Sequence, residues 1–506
     1  MSVLAKNIKF NLIGQVFVIL LGFISFKFIY QDLGEDALGI IYFTYLISGV
    51  IASSLDIGLT KTTTREIAGN SNDTDYVIKL IQTFSLLYWS AYVVVIVFFV
   101  LLLPNIVNSW INLTTMEGQL AQYVLLILGI TSLLSIPKML MSSVFIGLQR
   151  MDINNTIEVA VTAIQQLGIV ALLVTGHSII IVAYWIAALS VLKVLAYIYF
   201  IIKLLSIEAI FPKFHKEVVV RVKSYTGKMM WVSLLLVVHK QFDKIMVSKF
   251  LPIGVLGVYS FAYASISKTS LITGAVAQAV FPSFSESIKQ GELDQSRRLY
   301  FTLQDLLVFG TVPIFVSVAF FSTPVFSFLL DSEKAHNLQI TAILLSLYFY
   351  FHAIMRLVRT YIFAKGEPES AIRADVISLF TVTPLTVLLV YYYGIEGAAF
   401  SSVLYYVVMA AVIIPRVYLK EFKQPAISWL QSVLTVMLLV CFTYVPAGYI
   451  AYAYYADNAF FLLLFYITAS FAYGFCAINV IGEGLQKVLV NYVPILRIFI
   501  FNRYLG

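Results

Sequence analysis

The chain has 506 residues, of which 60% are hydrophobic and 12% are charged, and its mean hydropathy is +0.92. A soluble domain carries about 25% charged residues, so this composition excludes a soluble enzyme as the main body of the chain. The formal net charge of +7 requires no nucleic-acid partner, because membrane proteins concentrate basic residues on one side of the bilayer.

Apolar runs recur from end to end, and each is long enough to cross roughly 30 Å of hydrocarbon as a helix. The first run lacks a small-residue cleavage site and predicts a permanent helix rather than a removable signal. The predicted fold class is an all-α polytopic membrane protein with about fourteen transmembrane helices. The predicted spans are 10–30, 38–57, 77–103, 119–147, 156–175, 178–202, 225–249, 253–282, 299–330, 338–363, 370–393, 395–418, 428–450 and 459–481.

Basic residues mark one side of this predicted array. Most of the 33 Lys and Arg fall in the N-terminus, in alternate connections and in the C-terminal tail. Only Lys249, at the end of its span, and Lys334 fall on the opposite side, where the connections are short and often acidic, as in QDLGEDA (31–37). Because basic connections stay in the cytoplasm, both termini are predicted to be cytoplasmic.

The two halves of the chain resemble each other at an offset of 218 residues. LGIIYFTY (38–45) matches LGVYSFAY (256–263), Gly176 matches Gly394, and Lys138 matches Arg356. Six helices per repeat is an even number, which predicts two lobes that point the same way about an axis along the membrane normal. The predicted parts are an N-terminal lobe (1–202), a basic cytoplasmic linker (203–224), a C-terminal lobe (225–420), and two extra helices with a tail (421–506).

Eight basic residues are assigned to the interior of the predicted spans rather than to their ends. An ionised side chain costs at least about 2.5–3.5 kcal/mol at mid-bilayer. The clear acidic residues inside spans are Asp243 and Asp305, and two carboxylates cannot neutralise eight cations. The surplus predicts a hydrated, cationic cavity between the lobes that accepts an anionic ligand. The eight basic residues are Lys27, Lys138, Lys193, Lys240, Lys244, Lys268, Arg356 and Arg359.

The stretch HKQFDKIMVSKF (239–250) concentrates this pattern within one span. Lys240 and Lys244 share one helical face, and so do His239 and Asp243. The stretch therefore predicts ligand contacts near the bilayer midplane, while the alternative is a locally neutralised cluster in which Asp243 tethers a lysine.

Lys138 and Arg356 occupy equivalent positions of the repeat, and a phosphate or pyrophosphate between them would take charge-assisted hydrogen bonds from both. Alternatively, each packs within its own lobe against a backbone carbonyl. Lys27, Lys193 and Arg359 fit snorkelling or packing equally well. The candidate anion-binding residues are His239, Lys240, Lys244, Lys138, Arg356, Lys268, Arg359 and Lys27, and the candidate ion-coupling residues are Asp243 and Asp305.

Several motifs resemble a known family, in order and spacing over nearly the whole chain apart from the last two helices. They are DIGLTKTTTREIA (56–68), QFDKIMVSKFLPIGVLGVYSFAYA (241–264), AVFPSFSESIKQGELDQSRRLY (279–300), AKGEPESA (364–371) and GIEGAAFSSVL (394–404). The chain resembles the polysaccharide-transporter branch of the superfamily that also contains multidrug exporters and lipid II flippases.

The resemblance implies two six-helix lobes in a V that open alternately to either side of the bacterial inner membrane. It implies a flippase, not an enzyme, that moves undecaprenyl-pyrophosphate-linked oligosaccharide to the outer leaflet without a cofactor. In such proteins the first, second, seventh and eighth helices usually line the cavity, which places Lys240, Lys244 and Lys268 on or near the path. Expected partners are the lipid-linked substrate, the bilayer, a proton or sodium ion, and polysaccharide polymerase machinery.

Three other functions are alternatives to an oligosaccharide flippase. A drug exporter would need an acidic cavity for cationic drugs, whereas these spans are basic. A lipid II flippase would bind a similar headgroup. An integral glycosyltransferase could use Asp32, Glu35 and Asp36 of the first outer loop, although they lack a tight Asp-x-Asp spacing. No GxxxxGK[ST] phosphate loop is present in the sequence, so transport would draw on an ion gradient, the membrane potential or downstream consumption.

Overall fold

The computed structural model describes residues 3–56, 59–70, 72–455 and 458–492. Side chains are described from residue 14 onward within these ranges, except for residues 223–239 and 368. The described part contains helices and turns but no β-strand, and two short segments meet in one isolated bridge between Asn112 and Pro252. The predicted all-α class is confirmed.

The helices follow one another with short connections. In chain order they are α1 (Val3–Phe28), α2 (Glu35–Leu55), α3 (Leu59–Gly69), α4 (Thr74–Asn105), α5 (Gly118–Ser132), α6 (Ser135–Gly147), α7 (Met151–Val174), α8 (Ile179–Leu204), α9 (Lys216–Phe250), α10 (Ile253–Ser267), α11 (Ser270–Lys289), α12 (Leu293–Gly310), α13 (Val312–Leu329), α14 (Ser332–Asn337), α15 (Gln339–Lys365), α16 (Pro368–Val417), α17 (Ile427–Tyr455), α18 (Ala459–Ile478) and α19 (Glu483–Tyr492).

Within the described ranges, eleven helical segments are long and apolar enough to cross a membrane. The longest, Glu369–Phe422, contains two predicted spans, and the chain breaks its helical geometry between them at Gly394, where φ is +58°. Gly176, its counterpart in the repeat, also has a positive φ of +77°, a conformation that only glycine adopts without a steric penalty. The polytopic membrane fold is therefore confirmed, while the number fourteen is not.

The chain divides into two compact units, unit 1 (Met1–Phe261) and unit 2 (Ala262–Gly506). The boundary falls inside α10, so α9 belongs to unit 1, although the repeat assigns it to the second lobe. The lobe boundaries given above stay a prediction.

In unit 1, the beginning of α10 packs against α1 and α2. Phe261 stacks on Phe26 with ring centroids 3.7 Å apart. A Cβ atom on Gly257 would lie 2.9 Å from the backbone nitrogen of Gly39, and one on Gly39 would overlap the carbonyl group of Ile253. The glycines thus allow α2 and α10 to approach at backbone distance, as small residues do between membrane helices.

In unit 2, tyrosine hydroxyl groups attach the last two apolar helices to α12 and α13. Proline has no N–H, so Pro313 and Pro324 each leave the carbonyl group four residues earlier without its helical donor. Tyr473 of α18 donates to the Phe309 carbonyl oxygen at 3.0 Å, and Tyr452 of α17 donates to the Phe320 carbonyl oxygen at 2.7 Å. Because lipid offers no replacement donor, these bonds fix where α17 and α18 pack.

Candidate functional site

One polar cluster lies in unit 1, where α6, α7 and α8 meet, and is called the Glu158 cluster here. The Glu158 carboxylate accepts from Lys138 Nζ at 2.8 Å and from Lys193 Nζ at 3.2 Å. Tyr197 donates its hydroxyl to Glu158 Oε1 at 3.1 Å and to Asn154 Oδ1 at 2.8 Å. Two bases therefore share one acid, which leaves one positive charge in surplus.

A second cluster lies in unit 2, between α15 and α16, and is called the Asp375 cluster here. Arg359 Nη1 donates to Asp375 Oδ1 at 2.6 Å, and the Tyr405 hydroxyl donates to the same oxygen at 3.0 Å. Arg356 lies one turn before Arg359, where its guanidinium contacts the Ser270 carbonyl oxygen at 3.5 Å. Among the described residues Arg356 forms no ion pair, so this cluster also carries one surplus positive charge.

The two clusters correct the count of acids made from the sequence. Glu158 and Asp375 lie inside predicted spans, at 156–175 and 370–393, yet only Asp243 and Asp305 were counted there. Lys138 is therefore not an isolated cation, because it shares Glu158 with Lys193. Both acids could have been found from the sequence, because their positions lie within the predicted spans.

The two clusters also draw matching residue types from helices that the repeat makes equivalent. The base comes from the fourth or tenth predicted span, the acid from the fifth or eleventh, and the tyrosine from the sixth or twelfth. Lys138 and Arg356 occupy the same repeat position, but the acid of the second cluster pairs mainly with Arg359. Both surplus charges thus arise at comparable places in the two halves.

In α9, Asp243 and Lys244 are buried side by side. Lys244 Nζ lies 3.4 Å from Asp243 Oδ1 and donates to the Lys240 carbonyl oxygen at 3.0 Å, while Tyr259 donates to Asp243 Oδ2 at 2.7 Å. Both oxygens of Asp243 are thus engaged, which matches the alternative in which this acid tethers a lysine. Lys240 is exposed, and the side chain of His239 lies outside the described residues.

The remaining predicted site residues are dispersed. Lys268 is exposed in the two-residue break between α10 and α11, and Lys27 is half-buried at the end of α1. Asp305 accepts from the backbone nitrogen of Gly482 at 2.9 Å, immediately before α19. That contact gives Asp305 a role in docking α19 onto α12, which the sequence did not suggest.

Asp36, one of the acids of the first outer loop, binds a neighbouring loop of unit 1. Asp36 is buried, and its carboxylate accepts from the backbone nitrogens of Thr114, Thr115 and Met116 at 2.7, 2.6 and 2.9 Å. The loop that carries Thr114 also contacts the turn between α9 and α10, because Ile253 donates its backbone N–H to the Asn112 carbonyl oxygen at 2.9 Å. The Thr114 hydroxyl donates to the other carboxylate oxygen at 2.9 Å, so both oxygens of Asp36 are engaged and the carboxylate anchors the loop that carries Thr114. Among the described residues, no group of three or more His, Cys, Asp or Glu side chains is placed to hold a metal ion.

This helical array is the fold of a known class of transporters. A solved structure of the lipid II flippase MurJ in an inward closed conformation matches with a TM-score of 0.68 at 15% identity, over 96% of this chain and 99% of that one. An inward-facing multidrug resistance transporter of the MATE family, within the MOP superfamily, matches with a TM-score of 0.63 at 12% identity, over 83% of this chain and 94% of that one.

The chain belongs to the family of polysaccharide biosynthesis proteins, whose sequence model matches residues 4–288. A protein of Shigella flexneri named "Putative O-antigen transporter" is 24% identical over 407 residues, which are 78% of this chain and 93% of that protein. The resemblance to the polysaccharide-transporter branch of the superfamily, inferred from the motifs, is thereby confirmed.

Proposed function

We propose that the chain is a flippase that moves undecaprenyl-pyrophosphate-linked oligosaccharide from the cytoplasmic to the outer leaflet of a bacterial inner membrane. Family membership, the name of the Shigella flexneri relative and the transporter fold support this proposal. The observation that carries it is the positive charge that remains in the Glu158 and Asp375 clusters after their ion pairs with described residues have been counted.

The surplus charge suits a diphosphate headgroup. Arg356 is the main candidate, since it is half-buried and its guanidinium meets backbone and histidine atoms but no carboxylate in the described chain. A planar guanidinium binds phosphate oxygens in a bidentate manner. Lys240, Lys244, Lys268, Arg359, Lys27 and His239 remain further candidates on the same path, and Lys138 joins them only if a ligand competes with Glu158.

The mechanism is alternating access of two six-helix lobes, with both termini in the cytoplasm. The headgroup enters from the inner leaflet, cations neutralise it, the sugars occupy the hydrated space, and the prenyl chain stays in lipid. No covalent bond is broken, so the protein acts as a transporter rather than as an enzyme.

Coupling to a proton or sodium gradient would run through Asp243 or Asp305. Asp243 would have to exchange its contacts with Lys244 and Tyr259, and Asp305 would have to release Gly482. A flipping assay in which D243N and D305N both keep full activity would remove them as coupling residues.

A lipid II flippase is the second candidate, favoured by the match of MurJ over 96% of this chain. An integral glycosyltransferase gains no support from Asp36 of the first outer loop, because three backbone N–H groups bond its Oδ2 and the Thr114 hydroxyl bonds its Oδ1.

The test is complementation of flippase-null bacterial strains that make defined envelope sugars, with a strain lacking the lipid II flippase in parallel. Arg356→Glu is expected to abolish rescue and Arg356→Lys to reduce it, while Arg373→Glu, at an exposed position of α16, is the matched control. Full rescue by Arg356→Glu, with normal expression, would contradict a role for this guanidinium in headgroup binding. Rescue only of the lipid II flippase strain would favour the second candidate.

A further inference from the structure

A cleft lies at the basic end of unit 1, between the first turn of α7 and the last turn of α8. Its volume is about 340 Å³, within the usual range for small-molecule sites. The lining residues are Arg150, Asp152, Ile153, Thr156, Ile157, Phe200, Lys203 and Leu204. The cleft is thus charged at one end and apolar along its walls, as an amphipathic ligand requires.

The charged end of the cleft is fixed in place and carries a net positive charge. Arg150 holds Asp152 with two hydrogen bonds, from Nε to Oδ1 at 3.0 Å and from Nη2 to Oδ2 at 2.9 Å. Lys203 is exposed and forms no ion pair within the described chain. One acid therefore faces two bases, and an anion can approach Lys203 without displacing Asp152.

The segment after the cleft points to the membrane surface. Ile207, Phe211 and Phe214 expose 57%, 59% and 56% of their area, although they belong to a short polar connection. Apolar and aromatic side chains with neighbouring lysines are typical of segments that lie at the level of lipid headgroups.

That segment is held against the first third of α4. The Gln82 side chain donates to the Glu208 carbonyl oxygen at 2.9 Å, and the Gln82 carbonyl oxygen accepts from the backbone nitrogen of Lys213 at 3.2 Å. Its position is thus set by unit 1 itself, and the cleft opens where headgroups of the same leaflet are present at high concentration.

We propose that this cleft binds the phosphodiester headgroup of an anionic phospholipid from the leaflet on the basic side, which the sequence predicts to be cytoplasmic. The phosphate lies beside Lys203 and Arg150, and an acyl chain runs along Ile153, Ile157 and Phe200. Basic pockets between helices at the cytoplasmic surface recognise anionic headgroups in this way. This site requires no assumption about the transported substrate.

The experiment measures lipids retained by the full-length protein in mild detergent, by native mass spectrometry with phosphatidylglycerol or phosphatidylcholine. Lys203→Gln is expected to weaken phosphatidylglycerol binding about five-fold, since one basic residue near an anionic surface is worth roughly 1 kcal/mol. Lys289→Gln, at an exposed lysine in the last turn of α11 and outside the cleft, is expected to bind as the unsubstituted protein does. Lys203→Arg is expected to retain binding.

Three results would overturn the proposal. They are equal phosphatidylglycerol binding by Lys203→Gln and the unsubstituted protein, equal retention of phosphatidylcholine, and displacement of the lipid by inorganic phosphate alone. The last result would assign the cleft to a free phosphate. Because the readout is lipid binding, a failure of the proposed transport function leaves the result interpretable.

Discussion

Lys138 could serve packing alone, through its ion pair with Glu158, or could also bind the transported ligand. Variants of Glu158 distinguish these two roles. Glu158→Gln removes the acid that Lys138 and Lys193 share at 2.8 and 3.2 Å. The two lysine side chains are 28% and 17% exposed, so each ion pair lies between the surface value of about 0–1 kcal/mol and the buried value of about 3–5 kcal/mol. We expect Glu158→Gln to lower the free energy of unfolding by about 2–4 kcal/mol.

The exchange of the two charges then gives the decisive comparison. Lys138→Glu combined with Glu158→Lys keeps one acid and one base in contact, although it moves the second base from α6 to α7. Stability is expected to recover by at least half of the loss, because the opposite charges still meet. If Lys138 also contacts the anionic headgroup, transport is expected to stay low in the exchanged protein.

Two measurements check this prediction. Thermal unfolding in detergent reports stability for the single variants and for the exchanged protein, and complementation of a flippase-null strain reports transport. Recovery of both quantities in the exchanged protein would show that Lys138 serves packing alone. An unchanged unfolding temperature in Glu158→Gln would refute the reasoning from the ion pairs themselves.

Further predictions concern the contacts that hold each unit together. Tyr473→Phe removes the donor for the Phe309 carbonyl and should cost about 0.5–1.5 kcal/mol, whereas the exposed Tyr454→Phe should cost nothing measurable in the same unfolding assay. Asp36→Asn replaces an acceptor of three backbone N–H groups and should cost about 2–3 kcal/mol, and a neutral outcome in thermal unfolding would contradict the anchor role. Gly257→Ala should destabilise by about 1–3 kcal/mol through overpacking, while Gly49→Ala, with open space around it, should be neutral or stabilising.

The fold followed from sequence because its determinants are local. Span length and apolarity predict helices, and Gly394, which separates two predicted spans, has the positive φ that ends one helix before the next begins. The charge surplus was also predictable, because it depends only on how many bases and acids lie in apolar segments.

The partners of those charges could not be predicted in the same way. Glu158 meets Lys193 across two helices at a separation of 35 residues, and no rule for neighbours on one helical face connects such positions. The contact of Asp305 with Gly482 could not be predicted either, because it depends on where the chain returns after α18. The sequence gives the depth of a residue along its own helix, whereas the helix that its side chain faces depends on tertiary packing.

The glycine contact between α2 and α10 has a further consequence. Gly39 and Gly257 differ by the same 218 residues that relate the two halves, and they are close neighbours in space. A Cβ atom at either position would meet backbone atoms of the other helix, so one substitution is enough to push α2 and α10 apart. The close approach therefore depends on both positions at once, and neither can change alone without opening the contact.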